Sequence, residues 1–164
     1  MIPHLFIGIG NPDTQYENTY HNVGLLFIHY AREYFDAHPP QKKLTLVTST
    51  VYMNTSGAFT RETLKKFHTK TRELLIIHDD ADIELGSYKL SFGRGAGGHK
   101  GVENIISALT TKEFYRLRIG VRSPRNKKKA ADFVLQKISS SHMKEITKVF
   151  KHALSEIIES HQDS

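Results

Sequence analysis

Apolar positions along the chain alternate between short continuous runs and helical stripes. Leu5 to Ile9 is a brief apolar run ending in glycine, the pattern of a buried strand. From Val23 the apolar residues fall at 23, 26, 27, 30, 31 and 34, which is one face of a helix. Asn22 suits its N-cap, and Asp36-Ala-His-Pro-Pro40 stops it. Leu44 to Val51 is rich in β-branched residues and threonine and predicts a strand. Ser56 is placed to cap a helix reaching about Phe67, with Phe59, Thr63, Leu64 and Phe67 inward. Leu74 to His78 predicts a strand covered on both sides, and Ser87 to Phe92 alternates as a further strand. Val102, Ile105, Ile106 and Leu109 mark a helix face. Arg116 to Val121 alternates basic and apolar, the pattern of an edge or half-exposed strand. A last helix follows Ser139 to Ser141, with Met143, Ile146, Phe150, Ala153, Leu154 and Ile157 on one stripe.

Strands alternating with helices imply an α/β fold, a three-layer sandwich with a mostly parallel sheet. The 164 residues fit one domain, 1–164, without repeats or linkers. Such a length buries roughly 70% of the unfolded surface. No apolar run approaches the ~20 residues of a membrane span, and Met1-Ile2-Pro3-His4 shows no signal-peptide pattern. The absence of cysteine excludes disulfides, Cys-zinc sites and thiol nucleophiles and suits a reducing compartment. A formal charge of +6 points to a polyanion, nucleic acid ahead of lipid.

Candidate chemistry begins at His21. It lies one residue before the proposed cap, where the helix dipole disfavours imidazolium and keeps a general base neutral. A carboxylate on its other nitrogen would set the tautomer, and Asp79, at the end of a buried strand, is the candidate. An isolated histidine among ten would more commonly be structural. The run His78-Asp79-Asp80-Ala81-Asp82 also admits a metal-dependent phosphohydrolase, although neighbours on a strand point to opposite faces. Gly8-x-Gly10 before Asn11-Pro12 is no dinucleotide fingerprint; the glycines would let backbone approach a ligand while Asn11 presents an amide. Gly93-Arg-Gly-Ala-Gly-Gly-His-Lys-Gly101 ahead of a helix could present N–H groups to a phosphate or an oxyanion. Arg116, Arg118 and Arg122, with Lys89, Arg94 and Lys127 to Lys129, could form a phosphate-binding surface.

Taken in order, Asn11-Pro12, Tyr16, His21-Asn22-x-Gly24, Met53-Asn54-x-Ser56-Gly57, His78-Asp79-Asp80-x-Asp82, Gly97-Gly98-His99-x-Gly101 and Arg116-Leu-Arg-Ile-Gly120 resemble the bacterial-type peptidyl-tRNA hydrolase family. The resemblance runs from about residue 5 to residue 135. It implies a monomeric sandwich with a mixed, twisted sheet that cleaves the ester joining peptide to tRNA, without metal or organic cofactor. It also implies a cytoplasmic protein, or an organellar one, with no dedicated protein partner. By resemblance His21 is the base for water, Asp79 orients it, and Asn11 positions the water and the reacting carbonyl. Asn54 would bind the peptide, with Tyr16 and Tyr52 in the same cleft. Lys89 and Arg118 match positions associated with tRNA phosphate.

Four departures stand out. Lys100 replaces the family's usual asparagine, which puts peptide-backbone contacts there in question. Tyr20 stands where arginine is usual. A basic residue expected near Ser91 is missing, with Arg94 as its substitute. The segment before Leu44 and the C-terminal tail are short, as in an organellar or reduced-genome version. Lys100 is also the feature favouring the competing reading, a non-catalytic RNA-binding protein of the same fold.

Overall fold

The computed structural model describes residues 3–162; residues 1, 2, 163 and 164, which close the expected 1–164 domain, lie outside them. Five strands form one sheet: β1 (Leu5–Gly8), β2 (Thr45–Thr48), β3 (Leu74–Glu84), β4 (Tyr88–Phe92) and β5 (Tyr115–Arg122). Four helices accompany them: α1 (Val23–Ala37), α2 (Ser56–Lys66), α3 (Lys100–Leu109) and α4 (Ser140–Gln162). Spatial order is β2-β1-β3-β5-β4, parallel except for the antiparallel β4–β5 pair. Among the described residues no helix is long and apolar enough to cross a membrane.

Strand direction explains the two cores. Side chains alternate across the sheet, so β3 sends Leu75 and Ile77 to one face and Leu74 and Ile76 to the other. The first face packs against Phe27 and Ile28 of α1 and Phe150 and Leu154 of α4. The second packs against Leu64 of α2 and Val102 and Ile105 of α3. Each fully buried Ile or Leu is worth about 1.5–3 kcal/mol of transfer free energy. The result is the expected three-layer arrangement.

The sheet order reverses between β1 and β3. Chain leaving β1 runs through α1 to β2 on one side, and then crosses to β3 on the other. Such a switch point leaves a crevice beyond the carboxyl ends of its two strands. Asn11 follows β1 there, and Asp79 lies on β3.

Several expectations change. β2 is shorter than 44–51, and β3 continues past His78 to Glu84. The strand carrying Arg116 is interior, between β3 and β4; β2 and β4 are the edges. Phe67 is exposed at the end of α2 instead of inward. Ser56 is the first helical residue, and its hydroxyl donates to the Met53 carbonyl instead of capping the helix. Asn22 occupies the cap position of α1, but its side chain serves Asn11. The glycines near Asn11 fit strand to helix tightly. A Cβ on Gly8 would lie 2.2 Å from the Gly24 carbonyl oxygen, and one on Gly10 would lie 2.6 Å from the Asn22 side chain. Close helix packing, not approach of a ligand, accounts for them.

Candidate active site

His21 sits in a short 3₁₀ turn, Tyr20–Asn22, that runs directly into α1. Its main-chain N–H donates to the Val134 carbonyl at 2.7 Å, which anchors the turn. The ring Nδ1 lies 2.8 Å from Asp79 Oδ1 and 2.9 Å from Oδ2. An ionised carboxylate only accepts, so Nδ1 carries the proton. Nε2 is left with its lone pair, and no described residue hydrogen-bonds it. That is the protonation state of a general base.

Asp79 has a second imidazole partner that residue patterning did not single out. His99 Nε2 lies 2.9 Å from Asp79 Oδ1. His99 is also the N-cap of α3, and its Nδ1 accepts the Val102 N–H at 3.3 Å. Nδ1 is therefore the acceptor and Nε2 the donor, so this ring is neutral with a fixed tautomer. The available signal was its place in Gly97-Gly98-His99-x-Gly101, ahead of a helix.

Burial and charge oppose each other at these groups. Burial of Asp79 would raise its pKa, but the N–H groups of the His99 and His21 imidazoles, electrostatically and by hydrogen bond, hold it well below the usual carboxylate range. Burial of His21 would lower its pKa, yet the Asp79 charge and hydrogen bond outweigh this and lift it above an ordinary histidine. The dyad therefore combines a carboxylate that stays ionised with a base whose pKa is raised.

Asn11 is wired to the same crevice. Its N–H donates to Asn22 Oδ1 at 2.8 Å, and the Asn22 amide returns a bond to its carbonyl at 2.9 Å. Asn11 Oδ1 accepts the Met53 N–H at 2.9 Å. With the oxygen engaged, its NH₂ is the end left to donate. Met53 starts the turn Met53–Thr55 that carries exposed Asn54, and it packs under Gly101 at the start of α3. Tyr52, exposed beside this turn, donates its phenol to Asp13. Asn11, Tyr52 and Asn54 are thus joined through two neighbouring loops, and partly buried Tyr16 follows in the turn Thr14–Tyr16.

The basic residues divide. Arg118 pairs through Nε with Asp80 Oδ2 at 2.8 Å, next to Asp79, and stands opposite exposed Lys89 across the β4–β5 ladder. Arg94 is exposed on the glycine loop. Lys100 opens α3 and makes only a loose pair with Glu103 at 3.7 Å. Arg116 leaves the expected phosphate surface, because it is buried at 2% exposure. Arg122 points its guanidinium to the carbonyls of Ala81, Asn126 and Lys128 and so shapes the basic loop.

Residues 78–82 do not converge on a single ion site. Among the described residues the ligand atoms close enough to share an ion belong to His21, Asp79 and His99. To bind an ion through Nε2, His99 would need its proton on Nδ1, which would break the bond from Val102. His78 turns elsewhere, and Asp80 serves Arg118 and the Asp82 N–H.

A sequence profile of the family Peptidyl-tRNA hydrolase matches residues 5–163. The chain belongs to this family. A peptidyl-tRNA hydrolase of Dichelobacter nodosus is 34% identical over 157 residues, covering 87% of this chain and 83% of that protein. One from Aquifex aeolicus is 34% identical over 164 residues, covering 92% and 85%. The fold resembles crystal structures of peptidyl-tRNA hydrolase. That from Acinetobacter baumannii has a TM-score of 0.78 at 29% identity, over 94% of this chain and 86% of that one. A complex with N-propanol gives 0.79 at 29% identity, over 95% and 87%. Members of the family are hydrolases of translation.

Proposed function

We propose that this chain hydrolyses the ester between peptide and tRNA, with His21 as general base and without a metal. The carrying observation is the His21–Asp79 pair, in which Nδ1–H donates to the carboxylate and Nε2 is left open. Water gives its proton to Nε2, and its oxygen attacks the ester carbonyl. Asp79 stabilises the imidazolium formed. The tetrahedral intermediate expels the ribose oxygen, which takes the proton back from His21. The Asn11 NH₂ can donate to the water or to the reacting carbonyl. An ester is already activated, so a positioned base worth about 10²–10⁴-fold is a sufficient contribution.

Asn54, Tyr16, Tyr52 and Lys100 are assigned to the peptide and terminal adenosine, and Lys89, Arg94 and Arg118 to acceptor-stem phosphates. A-form RNA is read by shape, phosphates and 2′-hydroxyls, which requires cations without base-edge readers. A monomer in the cytoplasm, or in an organelle that translates, is the setting this reading implies. Incubating the pure protein with peptidyl-tRNA in chelator should release free peptide, with uncharged tRNA as the control. RNA binding without release would establish the non-catalytic reading instead. Release abolished by chelator and restored by a divalent ion would reinstate a metal mechanism.

A further inference from the structure

Arg116 is a buried cation with an unusual set of partners. Among the described residues no carboxylate lies within ion-pair distance of it. Its NH2 donates to the Gly95 carbonyl at 2.7 Å, and its NH1 lies 3.4 Å from His78 Nε2. Guanidinium only donates, so His78 Nε2 must accept and His78 Nδ1 must hold the proton. That proton goes to the Asp79 carbonyl at 2.6 Å. The His78 ring, itself fully buried, packs edge-on against the His99 ring at 4.6 Å.

These contacts connect two things that must stay in register. One is the segment Gly93–Gly98, where Gly93, Gly97 and Gly98 adopt positive φ and so add little stiffness of their own. The other is the Asp79 peptide, whose carboxylate faces His21. The glycine segment delivers His99, and His99 grips that carboxylate from the far side. An unpaired buried guanidinium is costly, which argues for a task beyond packing.

We propose that Arg116 and His78 are positioning residues for hydrolysis: Arg116 clamps the glycine loop at Gly95, locks the His78 tautomer, and through both holds His99 and Asp79 in place for His21. This rests on the hydrolytic reading above, but its structural half can be read without turnover.

The test is Arg116→Met, with Arg116→Lys as the conservative variant. Nitrogen NMR of the histidine rings and amide hydrogen exchange at Gly95 to Gly98 give readouts independent of activity. Arg116→Met should add an Nε2–H form of His78 and speed exchange in the glycine loop. It should lower kcat about tenfold or more with KM little changed, the pattern of a misplaced catalytic group. Arg116→Lys should restore part of both effects. If Arg116→Met fails to fold, His78→Phe keeps the ring packing, removes both nitrogens and should show the same loop exchange and kcat loss. A folded variant with native ring signals and native loop exchange would overturn the proposal whatever its activity. Altered loop and tautomer in a chain that never hydrolyses peptidyl-tRNA would instead overturn the hydrolytic reading and leave the clamp standing.

Discussion

His21 Nδ1 lies within 2.9 Å of both carboxylate oxygens of Asp79, so the pair is held by a shared donor and not by a single end-on contact. A ring held this way cannot swing without losing both bonds. The 3₁₀ turn before α1 positions one partner, and the last residue of the continuously buried half of β3 positions the other. Sheet and helix packing thereby sets the direction in which Nε2 points.

The His21→Ala variant should lose about 10²–10⁴-fold in kcat, the usual contribution of a general base. Its affinity for peptidyl-tRNA should stay near wild type, because Nε2 acts on water. Parallel single-turnover and binding assays separate the two. A large loss of affinity with chemistry preserved would remove His21 from the role of base.

The pH profile follows from the signs at the pair. His21 must be neutral to accept a proton, and its pKa is raised above the ordinary ~6.5. Activity should therefore climb with pH through a value above that of a free histidine. Asp79→Asn removes the charge and turns one of the two acceptor oxygens into an NH₂ donor, so burial pulls the His21 pKa down. The acid limb should move to lower pH while the plateau rate falls. An acid limb unmoved in Asp79→Asn would mean that another group titrates there.

Much of this arrangement was legible in the chain, for identifiable reasons. β3 could be read because Leu74 to Ile77 face a core on both sides and need no polar alternation. The His21–Asp79 pairing could be read because one residue precedes a helix and the other ends a buried strand. Arg116 was misread because a basic residue alternating with apolar ones looks exposed, and only its partners Gly95 and His78 reveal otherwise. The second grip on Asp79, by His99, depends on a contact across 20 residues of chain and on a helix-cap bond that fixes the tautomer. Pattern alone carries neither. Gly8 and Gly10 read as glycines for ligand approach because the helix that covers them is a tertiary fact.

That helix contact makes a stability prediction. A Cβ on Gly24 would lie 2.3 Å from the Ile77 carbonyl oxygen and 2.8 Å from that of Ile9, both main-chain atoms that cannot rotate away. Gly24→Ala should push α1 off the sheet and cost roughly 1–3 kcal/mol, read as a lowered urea midpoint. The shift also displaces the turn bearing His21, so kcat should fall in the remaining folded protein. Unchanged stability would show that α1 can slide on the sheet without penalty.

The assignment of Arg118 to tRNA phosphate can be separated from its ion pair with Asp80. Arg118 commits Nε to Asp80 at 2.8 Å, and its terminal nitrogens have no hydrogen-bond partner among the described residues. If those nitrogens meet a phosphate, Arg118→Ala should weaken tRNA binding and reduce the salt slope by about 0.7–0.9 units, the value of one phosphate contact. Asp80→Asn should behave differently. It removes a carboxylate from the guanidinium, keeps the cation, and so should preserve or strengthen binding with the slope intact. If Arg118 serves only to neutralise Asp80, the two variants should weaken the site alike and neither should change the slope. Affinity measured at several salt concentrations for both variants decides between the two roles.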